Sequence, residues 1–301
     1  MIIGVDVGGT KIAAGLVAFP RGQVLARRQI PTRPTRGGKP VLADVLGLCG
    51  EMIAVARGLN QHVVRIGLGV CELVDLDGNV VSENCIAWKG MPVRERLARL
   101  APAVIEADVR AAALAEAHFG AGQGIRQLLY VTVGTGISCC LMLDGKPFTG
   151  AHGATGTLAS SPLNGLCQQC GKVDQRTLEE IASGPALVAR FNARRVGAAR
   201  SGHDVLAAVA AGDSAAIEVV RSAGDALGST VGLMANVLDP AAVIVGGGLG
   251  LSEGLFWDSF TESTRRHIWF APCRDIPLLR AATGLDSGVI GAAAAAWRHD
   301  A

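Results

Sequence analysis

Residues 1–19 read MIIGVDVGGTKIAAGLVAF, and residues 127–143 read QLLYVTVGTGISCCLML. Each stretch is an apolar run, a glycine turn and a second apolar run. Runs of Val, Ile and Leu bounded by glycine predict strands. Residues 2–7 thus form a buried strand, Gly8-Gly9 a turn and IAAGLVAF a second strand. LLYVTV, Gly134-Thr135-Gly136 and ISCCLML repeat that order, closed by Asp144-Gly145-Lys146. Two such units in one chain predict a duplicated core, one copy per lobe.

Working outward, strand-like and helix-like stretches alternate, which predicts α/β architecture. Apolar residues recur at helical spacing over 40–58, and a strand follows in VVRIGLGV (63–70). DLDGNVV (75–81) reads as a turn entering a short strand. AVIEAD (103–108) is a strand leading into the alanine-rich helix VRAAALAEAHFG. Residues 150–184, rich in Gly, Ser, Cys and Thr, read as an irregular loop. Helices are expected over 184–198, 203–211 and about 214–238, ended by Asp239-Pro240. AAVIVGGGLG (241–250) is a buried strand running into glycine, and GVIGAAAAAWRH (288–299) a terminal helix. The 301 residues are about twice a typical domain. The expected division is an N-terminal lobe over 1–118, joined by the terminal helix 287–301, and a C-terminal lobe over 119–286.

Hydrophobic residues make up 50% and charged residues 18%, which excludes a disordered chain. No apolar run is long enough to span a bilayer, and no basic segment precedes the first apolar stretch, so neither membrane insertion nor secretion is expected. The net charge of +2 gives no electrostatic case for nucleic acid or membrane. The eight cysteines fit buried thiols in a reducing cytoplasm better than a disulfide framework.

The turn Asp6-Val7-Gly8-Gly9-Thr10-Lys11 sits between strands with no helix after it, which excludes a dinucleotide fingerprint; no Walker loop exists anywhere. Glycine lets backbone amides close on an anion, and Asp6 at a strand end suits the waters of a magnesium ion. The same residues also make an ordinary hairpin turn. Gly134-Thr135-Gly136 offers the same chemistry. Gly246-Gly247-Gly248 suits the side of a ribose or base.

These three turns, in this order, resemble the ROK family of sugar kinases and repressors, of the actin-like/hexokinase ATPase superfamily. DVGGTK resembles its first phosphate motif, VTVGTGIS its second and IVGGGLG its adenosine motif. GLGVCELVD and NCIAWKGMPV resemble two further family segments, the second including Trp88. The resemblance implies a two-lobed actin-like fold with a ribonuclease H-like duplicated core, mixed sheets flanked by helices, and ATP in the cleft between the lobes. It also implies a homodimer and a small-molecule sugar substrate.

Asp108 begins a helix, where a carboxylate can cap; the resemblance instead assigns it as the base that takes the acceptor's proton. The family's sugar-binding Asn is Ala107 here, its Glu is Thr157 and its His is Ser160. Those departures imply an acceptor other than plain glucose. Glu72, where the family has glycine, and Glu106 are two added carboxylates. They are either partners for an ammonium group, which points to an amino-sugar of kanosamine or glucosamine type, or solvated surface charges. A carbasugar or cyclitol is the rival acceptor. LEEIASGP aligns Glu179 or Glu180 with the sugar end of the family site. Cys167 and Cys170 resemble part of the family's zinc site, but two thiolates do not complete a tetrahedral centre. His62, His118, His203, His267 and His299 read as surface or packing residues. The expectation is a cytoplasmic, magnesium-dependent ATP:sugar phosphotransferase. A repressor would carry a DNA-binding segment before the first motif, on which this chain opens. A sugar-binding pseudokinase is disfavoured by Asp6, Asp108 and the three turns.

Overall fold

The computed structural model describes residues 1–160, 162–163, 165–166 and 173–298. Its contacts divide the chain into two compact units. The first holds Met1–Arg126, Cys140–Thr155 and Ala282–Ala301, and the second Gln127–Cys139 and Gly156–Ala281.

The first unit is built on β1 (Ile2–Val7), β2 (Lys11–Ala18), β3 (Gln23–Pro31), β4 (Arg65–Val70) and β5 (Ala103–Ala107), in the sheet order β3-β2-β1-β4-β5. β1 pairs antiparallel with β2 and parallel with β4, and β4 pairs parallel with β5. Side chains alternate across β1. Ile3, Val5 and Val7 enter a core with Val41, Val45 and Met52 of α1 (Gly38–Gly58). Ile2, on the other face, packs with Val289, Ala293 and Ala296 of the terminal helix, Ser287–Trp297. Gly4 and Asp6 share that face. A methyl group on Gly4 would run into the Val289 carbonyl, so the alanine run of the terminal helix lies directly on glycine backbone. α2 (Val93–Ala98) and α3 (Asp108–Phe119) complete this part of the chain.

The remaining strands are β6 (Gln127–Val133), β7 (Ile137–Leu143), β8 (Lys146–Pro147), β9 (Gly165–Leu166), β10 (Val173–Asp174), β11 (Ala242–Gly246) and β12 (Leu278–Arg280), most of them in the second unit. The large sheet runs β12-β11-β6-β7-β8, with the end of β7 and β8 counted in the first unit; β9 and β10 form a separate pair. The second unit's helices are α4 (Leu178–Ala182), α5 (Gly184–Asn192), α6 (Gly202–Ala210), α7 (Ser214–Leu238) and α8 (Leu255–His267), and α9 is the terminal helix of the first unit. Gly224 and Gly228, four apart on α7, form a groove for α8. Added methyl groups would come 2.7 Å from the Phe256 carbonyl and 2.5 Å from that of Phe260.

Three details differ from the sequence reading. Cys140–Thr155, expected with the C-terminal lobe, belongs to the first unit. Asp144 N donates to Arg126 O at 2.6 Å, and Arg110 Nη1 reaches Gly153 O at 2.8 Å, and these bonds hold the segment there. No strand forms at Val80 beyond one bridge to Val74, because Asp75 Oδ1 accepts from both Asp77 N and Asn79 N and coils the segment into a turn. The helix from residue 184 stops at Asn192, whose side chain exchanges two hydrogen bonds with the Ala199 backbone. The helix over 255–267 was not read from the sequence, because its buried face, at helical spacing, is Phe256 and Phe260 alternating with Ser259, Ser263 and Thr264. Among the described residues, no helix is long and apolar enough to cross a membrane.

Candidate active site

In the first unit β1 delivers Asp6 to the glycine turn. Gly8 N donates to Lys11 O at 3.0 Å and closes it. Thr32, fully buried, fastens it from behind: its hydroxyl donates to Gly8 O at 2.6 Å and its amide to Thr10 O at 3.1 Å. A side chain at Gly9 would bring its first carbon 2.8 Å from Cys85 Sγ. Thr10 is exposed and Lys11 half-buried. Burial pushes the Asp6 carboxyl above its ordinary range, while the Lys11 and Arg27 charges pull it back.

β5 ends at Ala107 and α3 starts at Asp108. The capping position is Ala107, which makes no side-chain cap, so Asp108 lies within the first turn instead. Its Oδ1 accepts Val109 N at 2.6 Å. Burial first, then the nearby Asp6 charge, raise its pKa to about 7, against the pull of the Val109 amide. A carboxylate so poised can both accept and release a proton near neutral pH.

The two added carboxylates have other work. Glu72 is 4% exposed, so it is not a surface charge. Its Oε1 accepts Cys85 N at 2.6 Å and Ile86 N at 2.8 Å, and its Oε2 accepts Asn84 N at 2.9 Å and the Ser82 hydroxyl. With those four donors the carboxylate is filled, and its role is to fold the 82–86 loop. Glu106 Oε1 accepts Ala107 N at 2.9 Å and pairs with the buried Arg110 guanidinium. Glu72 is thus filled by the protein's own donors, which removes one of the two supports for the amino-sugar expectation, and Glu106 gives Oε1 to Ala107 and Arg110. Trp88 is fully buried with Nε1 donating to Gly38 O at 2.8 Å, a packing role.

In the second unit Gly134 N donates to Gly136 O at 2.9 Å, and Gly184 N donates to Gly134 O at 2.8 Å. Glu179, in the first turn of α4, accepts Ile137 N at 2.9 Å. The structure therefore places Glu179 behind the second glycine turn. Thr157, also of this unit, is exposed, and its carbonyl accepts Ser160 N in a short helical turn. The third glycine run is tied to the strand that feeds the second: Leu249 N and Gly250 N both donate to Val133 O, at 3.0 and 3.1 Å. Gly247 has φ +82°, and a side chain there would strike the Val133 backbone.

Gly134, Thr135, Gly248 and Leu249 line one cavity of about 620 Å³ in this unit. Its remaining wall comes from α5 and α6, including Val188, Arg200, Ser201 and His203. These were not found in the sequence. His203, read there as a surface or packing residue, lines the cavity. The Ser201–Asp204 capping box that starts α6 was the signal available. The size suits a small-molecule cofactor. A carbon added at Gly248 meets nothing within 4 Å, so the glycine leaves room that a ligand can fill. These residues fit a nucleotide. Among the described residues no three His, Cys, Asp or Glu side chains are grouped to hold a metal. Cys167 and Cys170 lie outside the described residues.

The ROK family profile matches residues 2–299, and the chain belongs to the ROK family. Its fold is the α/β actin-like ATPase architecture. It is 31% identical to a glucokinase of Streptomyces coelicolor, covering all of this chain and 98% of that one. It is 27% identical to an N-acetylmannosamine kinase of Shigella flexneri, with 97% of each covered. It superposes on a ROK family glucokinase from Streptomyces griseus, solved with glucose and AMPPNP, with a TM-score of 0.83, 28% identity and 99% of each chain covered.

Proposed function

We propose that the chain is an ATP-dependent sugar kinase that phosphorylates the primary hydroxyl of a hexose. The observation that carries this reading is the Asp108 carboxyl, held near pKa 7 in the same unit as the first glycine turn. In this reaction the acceptor oxygen attacks the γ-phosphorus, the bond to the β–γ bridging oxygen breaks, and ADP leaves. Asp108 takes the hydroxyl proton. Catalysis is mostly positioning and charge stabilisation, so amides of the glycine turns supply most of the protein's part. Gly8–Thr10 and Lys11 serve one phosphate turn and Gly134–Gly136 the other, while Gly246–Gly248 borders the nucleoside. A magnesium ion would be held chiefly by phosphate oxygens and water, with Asp6 as its protein anchor; it would screen phosphate charge.

The relatives named above are kinases for glucose and for N-acetylmannosamine, which supports a hexose. Glu72 is filled by four of the protein's own donors and Glu106 is paired with Arg110, which favours a neutral hexose over an amino-sugar. ADP release is to be measured with glucose, N-acetylmannosamine, glucosamine, 3-amino-3-deoxyglucose and a valiolone-type cyclitol. Turnover of a neutral hexose that is lost in Asp108→Asn is the expected result. Folded protein that binds ATP and turns over none of the five would overturn the reading.

A further inference from the structure

Arg110 is 3% exposed, and its guanidinium joins three separate stretches of the first unit. Nε pairs with Glu106, Nη1 donates to Gly153 O at 2.8 Å, and Nη2 donates to Val74 O at 2.9 Å. Glu106 and Arg110 stand two residues before and two after Asp108, so the clamp brackets the proposed base. Val74 belongs to the segment that Glu72 folds, through Asn84, Cys85 and Ile86. Gly153 has φ +70°, and a side chain there would press on the Val74 carbonyl and on Asp75. The two loops touch at backbone, with the guanidinium bonded to a carbonyl from each. A planar fork with fixed N–H directions can hold two carbonyls and a carboxylate at once; an ammonium group on a flexible stem cannot reproduce that geometry.

We propose that Arg110 is the positioning residue of the acceptor site, fixing the 72–86 and 150–155 loops against the segment that carries Asp108. This rests on the kinase reading. The guanidinium touches no reacting atom; it sets the distance at which the acceptor hydroxyl meets the base. Misplacing reactants by about 1 Å costs up to about 10²-fold in rate.

The test uses Arg110→Lys and Arg110→Met in the full chain, with glucose and N-acetylmannosamine as acceptors and backbone hydrogen exchange as a second readout. Expected for Arg110→Lys is a fall of about 10-fold in kcat/KM for the acceptor with ATP KM unchanged. Exchange should quicken over 72–86 and 150–155 but not over α1 or α7. Arg110→Met strands Glu106 and is expected to show a larger effect or to fail to fold; Arg110→Lys, which keeps the charge, carries the test in that event. Unchanged exchange in both loops would overturn the clamp. Faster exchange with unaltered kcat/KM for the acceptor, or a fall in it matched by a rise in ATP KM, would overturn the positioning role. Wild-type protein inert toward every hexose would instead overturn the kinase reading, and the exchange data still decide the clamp.

Discussion

The two five-stranded sheets share one plan. In the first, β1 lies between β2, reached through the glycine turn, and the parallel strand β4, with β5 beyond. In the second, β6 lies between β7, reached through the glycine turn, and the parallel strand β11, with β12 beyond. Yet Asp6 stands two residues before the first turn, and Thr132 holds that place before the second. β5 runs into Asp108, whereas β12 ends at Arg280, which lies 4.2 Å over the Trp257 ring. The second copy has a 620 Å³ cavity beside its turn instead. Duplication has kept the strand frame and changed what stands beside it: on the proposed reading both copies offer a glycine turn to phosphate, the first adds the acid–base carboxyl and the second adds the nucleoside cavity.

The division is broken most directly at Asp108. Asp108→Asn is expected to lower kcat at least about 10²-fold while AMPPNP binding, which the proposal gives to the glycine turns and the cavity, is kept. Steady-state turnover and calorimetric titration read the two separately. Near-normal turnover would mean that the proton acceptor lies elsewhere. Gly248→Trp is the reciprocal experiment. The backbone there has room for a side chain, and an indole would occupy the cavity. Nucleotide affinity should fall at least about 10-fold with acceptor KM unmoved. Equal loss on both sides would blur the division.

Much of this was legible in the sequence, and the reason is physical. Strands β1, β2, β6, β7 and β11 are apolar runs ended by glycine, so their signal is local. The turns could be read because backbone amides need glycine to reach an anion. What was not legible depended on tertiary partners. Glu72 and Glu106 look alike as added carboxylates, and only the folded chain shows four donors around one and Arg110 beside the other. Arg200 and His203 reach the cavity because α6 packs beside α5, which no spacing reveals. The place of Cys140–Thr155 followed from bonds to Arg110, His118 and Arg126, far away in sequence.

The pH profile sharpens the comparison, since the first copy holds a carboxyl near pKa 7. kcat/KM for the acceptor should rise about tenfold per pH unit below 7 and level off above it, because the base must be ionised. Removing the Asp6 charge by Asp6→Asn should move that limb to lower pH. Stability runs the opposite way. In the unfolded chain an Asp titrates near pH 3.9, about three units below its folded value. The folded state holds the proton more tightly, so the contribution of Asp108 is fully present below about pH 4 and is lost as pH rises through 7. Asp108→Asn should therefore melt no lower than wild type at pH 8, with the gap closing toward pH 4. A flat activity profile from pH 6 to 8 would remove Asp108 from the titrating step.

The smallest expected effect separates the two turns by what stands behind them. The first is braced by Thr32, a neutral side chain with no net charge to place near phosphate. The second is braced by the Glu179 carboxylate, which accepts Ile137 N. A carboxylate that near a bound triphosphate opposes it electrostatically, while its hydrogen bond holds the loop in shape. Glu179→Gln keeps an acceptor oxygen and removes the charge, so nucleotide affinity should change only a few-fold, in the direction of tighter binding at low salt. Glu179→Ala removes both, and about 1 kcal/mol of turn stability with them, so binding should weaken by about five-fold. Opposite signs for these two variants would show that geometry and charge act separately at the turn. If both weaken binding equally, the charge plays no part, and the second turn is braced as the first one is, by hydrogen bonding alone.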